Sequence, residues 1–144
     1  MPSQNYATHR RTDPVFHRTL LPILFLTIIG SCVNLYESWG DHTRLYSASL
    51  IVVLSVCLSM TTLFARIFAL KAQDRAIRAE ENFRHYMLAG KPFDPRITVL
   101  QAVALRFASD AEFPALAARA AAESMTPDTI KRAIKDWRAD EYRV

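Results

Sequence analysis
The chain has 144 residues, of which 51% are hydrophobic and 22% charged, with a formal net charge of +4. That length accommodates one membrane hairpin and one small soluble region rather than two full globular domains. Three glycines, Gly30, Gly40 and Gly90, exclude a glycine-rich phosphate loop. The two cysteines, Cys32 and Cys57, both lie inside apolar runs, which excludes a disulfide framework of the secreted kind.

In chain order, residues 1–14 are polar, with Asn5, Thr8, His9, Arg10 and Arg11, and read as a mobile tail. The N-terminal tail as a whole covers residues 1–18 and is expected on the cytoplasmic side. An uncharged apolar run of 18 residues follows at 19–36, and a second of 21 residues lies at 45–65. About 20 helical residues cross a hydrocarbon core of roughly 30 Å while satisfying their own backbone hydrogen bonds. Each run therefore reads as a membrane helix, and residues 19–70 as a transmembrane hairpin. Pro22 falls in the first turn of the first span, where a missing N–H is tolerated. Gly40-Asp41-His42 forms the turn, and Tyr36, Trp39 and Tyr46 around it fit an aromatic belt at the outer interface.

Charge sets the expected orientation. Arg10, Arg11 and Arg18 precede the first span against Asp13 alone, and Arg66, Lys71, Arg75 and Arg78 follow the second against Asp74 alone. Basic flanks stay on the cytoplasmic side, so both termini face the cytoplasm and the 37–44 loop lies outside. Beyond Arg78 ten basic and ten acidic side chains balance. The positive excess thus belongs to the span flanks, where it meets anionic lipid headgroups, and no nucleic-acid partner is expected.

No glycine or proline interrupts the stretch from Arg66 to Met87, which predicts one helix continuing into the cytoplasm as an extension at 71–89. Asp74/Arg78 and Glu80/Arg84 are acid-first i,i+4 pairs on it. Leu70, Ile77, Phe83 and Tyr86 offer apolar contact, and Gly90 followed by Pro92 ends it. A small helical module occupies 90–144. Its first helix is expected at 96–108 behind an Asp94-Pro95 cap, with Ile97, Leu100, Val103, Ala104 and Phe107 on one stripe. The second starts either from the capping-box spacing Ser109…Glu112 or at Pro114, and runs to about Glu123. Thr126-Pro127 caps the third, with Ile130, Ala133, Ile134 and Trp137 facing inward. The fold class is all-α, and so small a module is marginal alone, which calls for a neighbour.

The runs Ala65-Arg66-Ile67-Phe68-Ala69-Leu70-Lys71-Ala72-Gln73-Asp74-Arg75-Ala76-Ile77-Arg78-Ala79-Glu80-Glu81, Ala104-Leu105-Arg106-Phe107-Ala108-Ser109-Asp110-Ala111-Glu112 and Ile130-Lys131-Arg132-Ala133-Ile134-Lys135-Asp136-Trp137-Arg138, with the closing Arg143-Val144, resemble the DUF6526 family of small bacterial membrane proteins. The resemblance implies a two-span bacterial protein and carries over no catalytic residue. Ile29-Gly30-Ser31-Cys32 has the outline of a lipoprotein cleavage box, but the leader is unusually long and the second span makes an anchor redundant.

The remaining chemistry is sparse. His9, His17, His42 and His85 lie outside the spans, so a haem or chlorophyll deep in the bilayer has no axial ligand, and His17 reads as a solvated interfacial side chain. No cluster has metal-ligand spacing, and Glu80-Glu81 reads as ion-pairing rather than acid/base chemistry. Ser55, Ser59 and Thr62 share a face of the second span and suit either helix packing or a polar path. Phe107, Phe113 and Trp137 read first as module core. The expectation is a non-enzymatic inner-membrane protein without cofactor, an accessory or interaction subunit of a larger complex; a channel or permease component is the alternative. Its partners would be membrane lipids and other proteins or its own copies. Arg66, Lys71, Arg75, Arg78, Arg106, Asp110 and Trp137 are the candidate interaction or headgroup contacts.

Overall fold
The computed structural model describes residues 5–8 and 13–140; His9, Arg10, Arg11 and the closing Arg143-Val144 lie outside the described residues. The chain forms two compact units, one of Thr12–Ala69 and the other of Met1–Arg11 with Leu70–Val144. Among the described residues the secondary structure is helical throughout, without a strand.

In the first unit a π-helical turn, Val15–Leu20, leads directly into α1, Leu21–Glu37. The helix thus begins four residues ahead of the expected span, and the reason is Pro22. Its ring would crowd the carbonyl four residues back in a regular α-helix. The wider turn, in which Leu21 N–H donates to Phe16 O, relieves that crowding. The extra residue also rotates the chain, so that half-buried Phe16, rather than exposed His17, continues the inner stripe of α1. A turn follows in which Gly40 has φ 98°, a left-handed conformation that favours glycine. Asp41 then opens α2, accepting from Thr43 N–H at 3.0 Å and, through its carbonyl, from Leu45 N–H at 2.8 Å.

The helix α2 runs unbroken over His42–Ala89. Within the hairpin the shielded positions follow a heptad on both helices. They are Leu21, Leu24, Ile28, Ser31, Leu35 and Ser38 on α1, and Leu45, Ala48, Val52, Ser55, Ser59 and Thr62 on α2. Steps of three and four suit the seam of a left-handed helix pair. Small residues at Ser31, Ser38, Ala48 and Ser55 let the backbones approach closely. Their hydroxyls do not go unpaired: Ser31 donates to Ile28 O, Ser38 to Asn34 O and Ser55 to Ile51 O, all at 2.7–2.8 Å. The other faces present large apolar side chains such as Phe25, Leu26, Val33, Val53 and Leu54 outward. The π-helical turn together with α1, Val15–Glu37, and α2 are each long and apolar enough to cross a membrane.

In the second unit, α3 (Val99–Leu105), α4 (Phe113–Ala122) and α5 (Pro127–Ala133) enclose a core with Ile97, Leu105, Phe107, Phe113 and Ile130 at its centre. Of the four apolar residues expected to make contact along the α2 extension, Ile77 is buried, whereas Leu70, Phe83 and Tyr86 are exposed. The extension ends where expected, with Gly90 at φ 68° and its N–H on Tyr86 O at 2.9 Å.

Two expected boundaries move. The cap of α3 is Thr98, not Asp94: Thr98 Oγ1 accepts from Gln101 N–H while Gln101 Oε1 accepts from Thr98 N–H, a full capping box. Asp94 instead closes a tight turn over Pro95, accepting from Arg96 N–H at 2.9 Å. Pro114 sits at the start of α4, and Glu112 makes no side-chain cap there. Its carboxylate is used elsewhere, receiving Lys135 N–H and Asp136 N–H, each at 3.2 Å. That capture accompanies the second change. The last helix stops at Ala133 instead of reaching Trp137, and Ile134 turns extended. Ala108 and Trp137 then form an antiparallel bridge, in which Arg138 N–H donates to Phe107 O at 2.7 Å and Ser109 N–H to Asp136 O at 3.1 Å.

Candidate functional site
The densest group of polar side chains in the module surrounds Glu81, on the buried face of α2. Helical spacing sets Ile77, Glu81 and His85 in line on that face, and all three are buried. A carboxylate there needs a cation, and Arg84, one turn on, supplies it at 2.9 Å. The same guanidinium donates to Ala108 O at 2.7 Å and to Asp110 Oδ1 at 2.8 Å, and lies over the Phe113 ring at 4.3 Å. Arg84 therefore ties α2 to the corner between α3 and α4. Arg138 approaches the other oxygen of Glu81 at 3.8 Å. Nearby, Arg106 is buried, paired with Asp140 at 2.7 Å and stacked over Phe107 at 4.5 Å.

Gln73, Glu80, Glu81, Arg106, Arg138 and Asp140 line an open cleft of about 490 Å³. Each of its buried charges is matched by one of opposite sign, so the cleft is an electrostatic clamp between elements of the module. Among the described residues no three His, Cys, Asp or Glu side chains converge so as to hold a metal ion.

The structure separates the seven sequence candidates. Arg66 belongs to the hairpin unit, its guanidinium 5.4 Å from the centre of the Phe16 ring. Lys71 and Arg75 are exposed on α2, and half-buried Arg78 lines a groove with Asn82, Phe93 and Pro95. Arg106, Asp110 and Trp137 come together around the Ala108 bridge: Asp110 binds Arg84, and the Trp137 ring packs on Phe107 at 5.2 Å. The acid-first i,i+4 spacing pairs Arg84 with Glu80; Glu81, at i,i+3, is the adjacent alternative, and only burial distinguishes the two.

Several polar residues carry no sequence signal beyond their type. His85 is buried between Phe93 and Phe113, ring centroids 5.0 and 5.9 Å away, and Nδ1 donates to Lys91 O at 2.8 Å. It borders a second cleft, of about 660 Å³, with Lys91, Arg96, Ile97 and Pro114. Asp94 beside it titrates at about 2, because the Arg96 guanidinium donates to both of its oxygens. Gln101 Nε2 reaches Met125 O at 2.8 Å within the core. At the periphery Tyr6 donates to Asp128 at 2.6 Å beneath the Arg132 guanidinium, and this bond, ahead of Arg132 itself, lowers the Asp128 pKa.

No curated protein and no solved structure matches this chain. The family model DUF6526, described as a family of unknown function, matches residues 1–144, the whole chain, and the protein therefore belongs to that family.

Proposed function
We propose that the protein is a bacterial inner-membrane anchor carrying a small cytoplasmic helical module, and that it serves as a non-enzymatic interaction or accessory subunit. The observation that carries this reading is the outer surface of the hairpin. Only 11% of the residues in the most apolar window of each long helix are buried, leaving rows of Leu, Ile, Val and Phe with no protein against them. Lipid tails are the solvent that suits such a surface. The basic flanks orient both termini toward the cytoplasm, with Arg66 and Lys71 reaching headgroups.

Glu81, Asp110 and Asp140 are each held by a guanidinium of the same chain, so these charges serve packing. The channel reading has less support. Ser55, Ser59 and Thr62 donate their hydroxyl hydrogens to carbonyls of their own helix at 2.8–2.9 Å, and all three lie on the hairpin seam. Hydroxyls used in this way serve packing.

The test is alkaline extraction of membranes followed by thiol labelling. In a chain with Cys32 and Cys57 replaced by alanine, His42→Cys, exposed next to the turn, reacts with a membrane-impermeant maleimide from the periplasmic side, and Glu123→Cys reacts only after the membrane is opened. Release of the protein by alkali rejects the anchor, and the reverse labelling pattern rejects the cytoplasmic placement of the module.

A further inference from the structure
The α2 extension presents two opposed faces. Ile77, Glu81 and His85 are buried on one. At 100° per residue, Ala72, Ala76, Ala79, Phe83 and Tyr86 lie on the other, and all five are exposed. Phe83 stands 65% exposed and Tyr86 53%, although both are large and apolar. A solvated helix has no use for two such rings in line with three alanines on its outer face. The spacing along this face is four, three, four and three residues, the step pattern of a two-helix seam. Alanines let two backbones approach to about 8 Å, and the rings close the far end.

We infer that this face docks against the same face of a second copy of the chain, with the two α2 extensions running parallel. The inference rests on the proposed anchoring, because copies inserted alike in one membrane present their helices in the same direction. Charge selects the partner. In a parallel pair, the residue flanking the seam on one side faces the residue five positions later on the partner helix. Exposed Arg75 flanks one side and exposed Glu80 the other, exactly five positions apart in the sequence. Arg75 of one copy thereby meets Glu80 of the other, and symmetry makes the contact twice. A self-complementary face with this arrangement is what a two-fold dimer requires.

The experiment uses the full chain in its native membrane, with Cys32 and Cys57 replaced by alanine. Mild oxidation of Ala79→Cys and Ala72→Cys should give a disulfide-linked dimer, whereas exposed Lys71→Cys, off the seam, should not. In the Ala79→Cys background, Glu80→Arg and Arg75→Glu singly turn both contacts repulsive and weaken association about tenfold. The double reversal restores it, which a merely structural defect would not allow. Protein that resists alkaline extraction but gives no dimer at residues 72 or 79, or equal dimer at 71, overturns the inference and leaves the anchor standing. Protein released by alkali overturns the anchor, and the same residue pattern read on the released chain then decides the dimer separately.

Discussion

Replacing Arg84 with alanine tests whether the clamp at Glu81 holds the module together. The Arg84 and Glu81 side chains are only 13% and 9% exposed, so the substitution leaves a buried carboxylate with Arg138, at 3.8 Å, as its remaining cation rather than breaking a surface ion pair. Loss of one partner from such a pair costs about 3–5 kcal/mol. The fully buried Ala108 residue also loses the donor to its carbonyl, a cost of roughly 1–3 kcal/mol, and the contact over Phe113 disappears. These effects share one side chain and overlap, so the expected loss is about 4 kcal/mol. Exposed Asp110 adds little. A domain of this size has roughly 4–11 kcal/mol to lose, which puts the variant near its unfolding threshold. Urea unfolding in mild detergent measures the effect, with Trp137 as the reporter in a Trp39→Phe background. Adding Glu81→Gln should recover about 1–2 kcal/mol by removing the stranded charge. A loss under about 1 kcal/mol, or strict additivity of the two substitutions, would refute the claim that the pair is buried and coupled.

Three further outcomes are expected. Gln101→Ala removes both the return half of the capping box and the donor to Met125 O, and should cost about 2 kcal/mol in the same unfolding assay, against about 1 kcal/mol for Thr98→Ala. Ala48, 1% exposed on the hairpin seam, should not tolerate leucine: Ala48→Leu overpacks the seam by about 1–3 kcal/mol and lowers the thermal midpoint in detergent, while Leu54→Ala on the outer face leaves it nearly unchanged. Asp128 has a lowered pKa in the folded chain, so its contact with Tyr6 is present above the ordinary carboxylate range and is lost as pH falls through the lowered value. Tyr6 ring resonances followed by NMR should shift with that titration, and Asp128 in Tyr6→Phe should titrate closer to an ordinary carboxylate.

The sequence itself determined the elements whose causes are local. Runs of uncharged residues fix the two long helices, the absence of glycine and proline from 66 to 87 keeps α2 continuous, and Gly90 and Thr126 mark helix ends through their own backbone and side-chain bonds. Only the tertiary structure decided among partners of similar local merit. Asp94 and Thr98 are both competent caps, and Thr98 prevails because Gln101 returns its bond and also reaches Met125 O across the core. Glu112 has capping-box spacing but binds the backbone of residues 135–136, and the chain there leaves the helix to bridge Ala108. Arg84 has Glu80 and Glu81 within reach on one helix, and burial selects Glu81 because an enclosed carboxylate must have its cation. Helical periodicity places side chains on faces, whereas contacts between segments far apart in sequence determine which of those faces is enclosed and which is left for a partner.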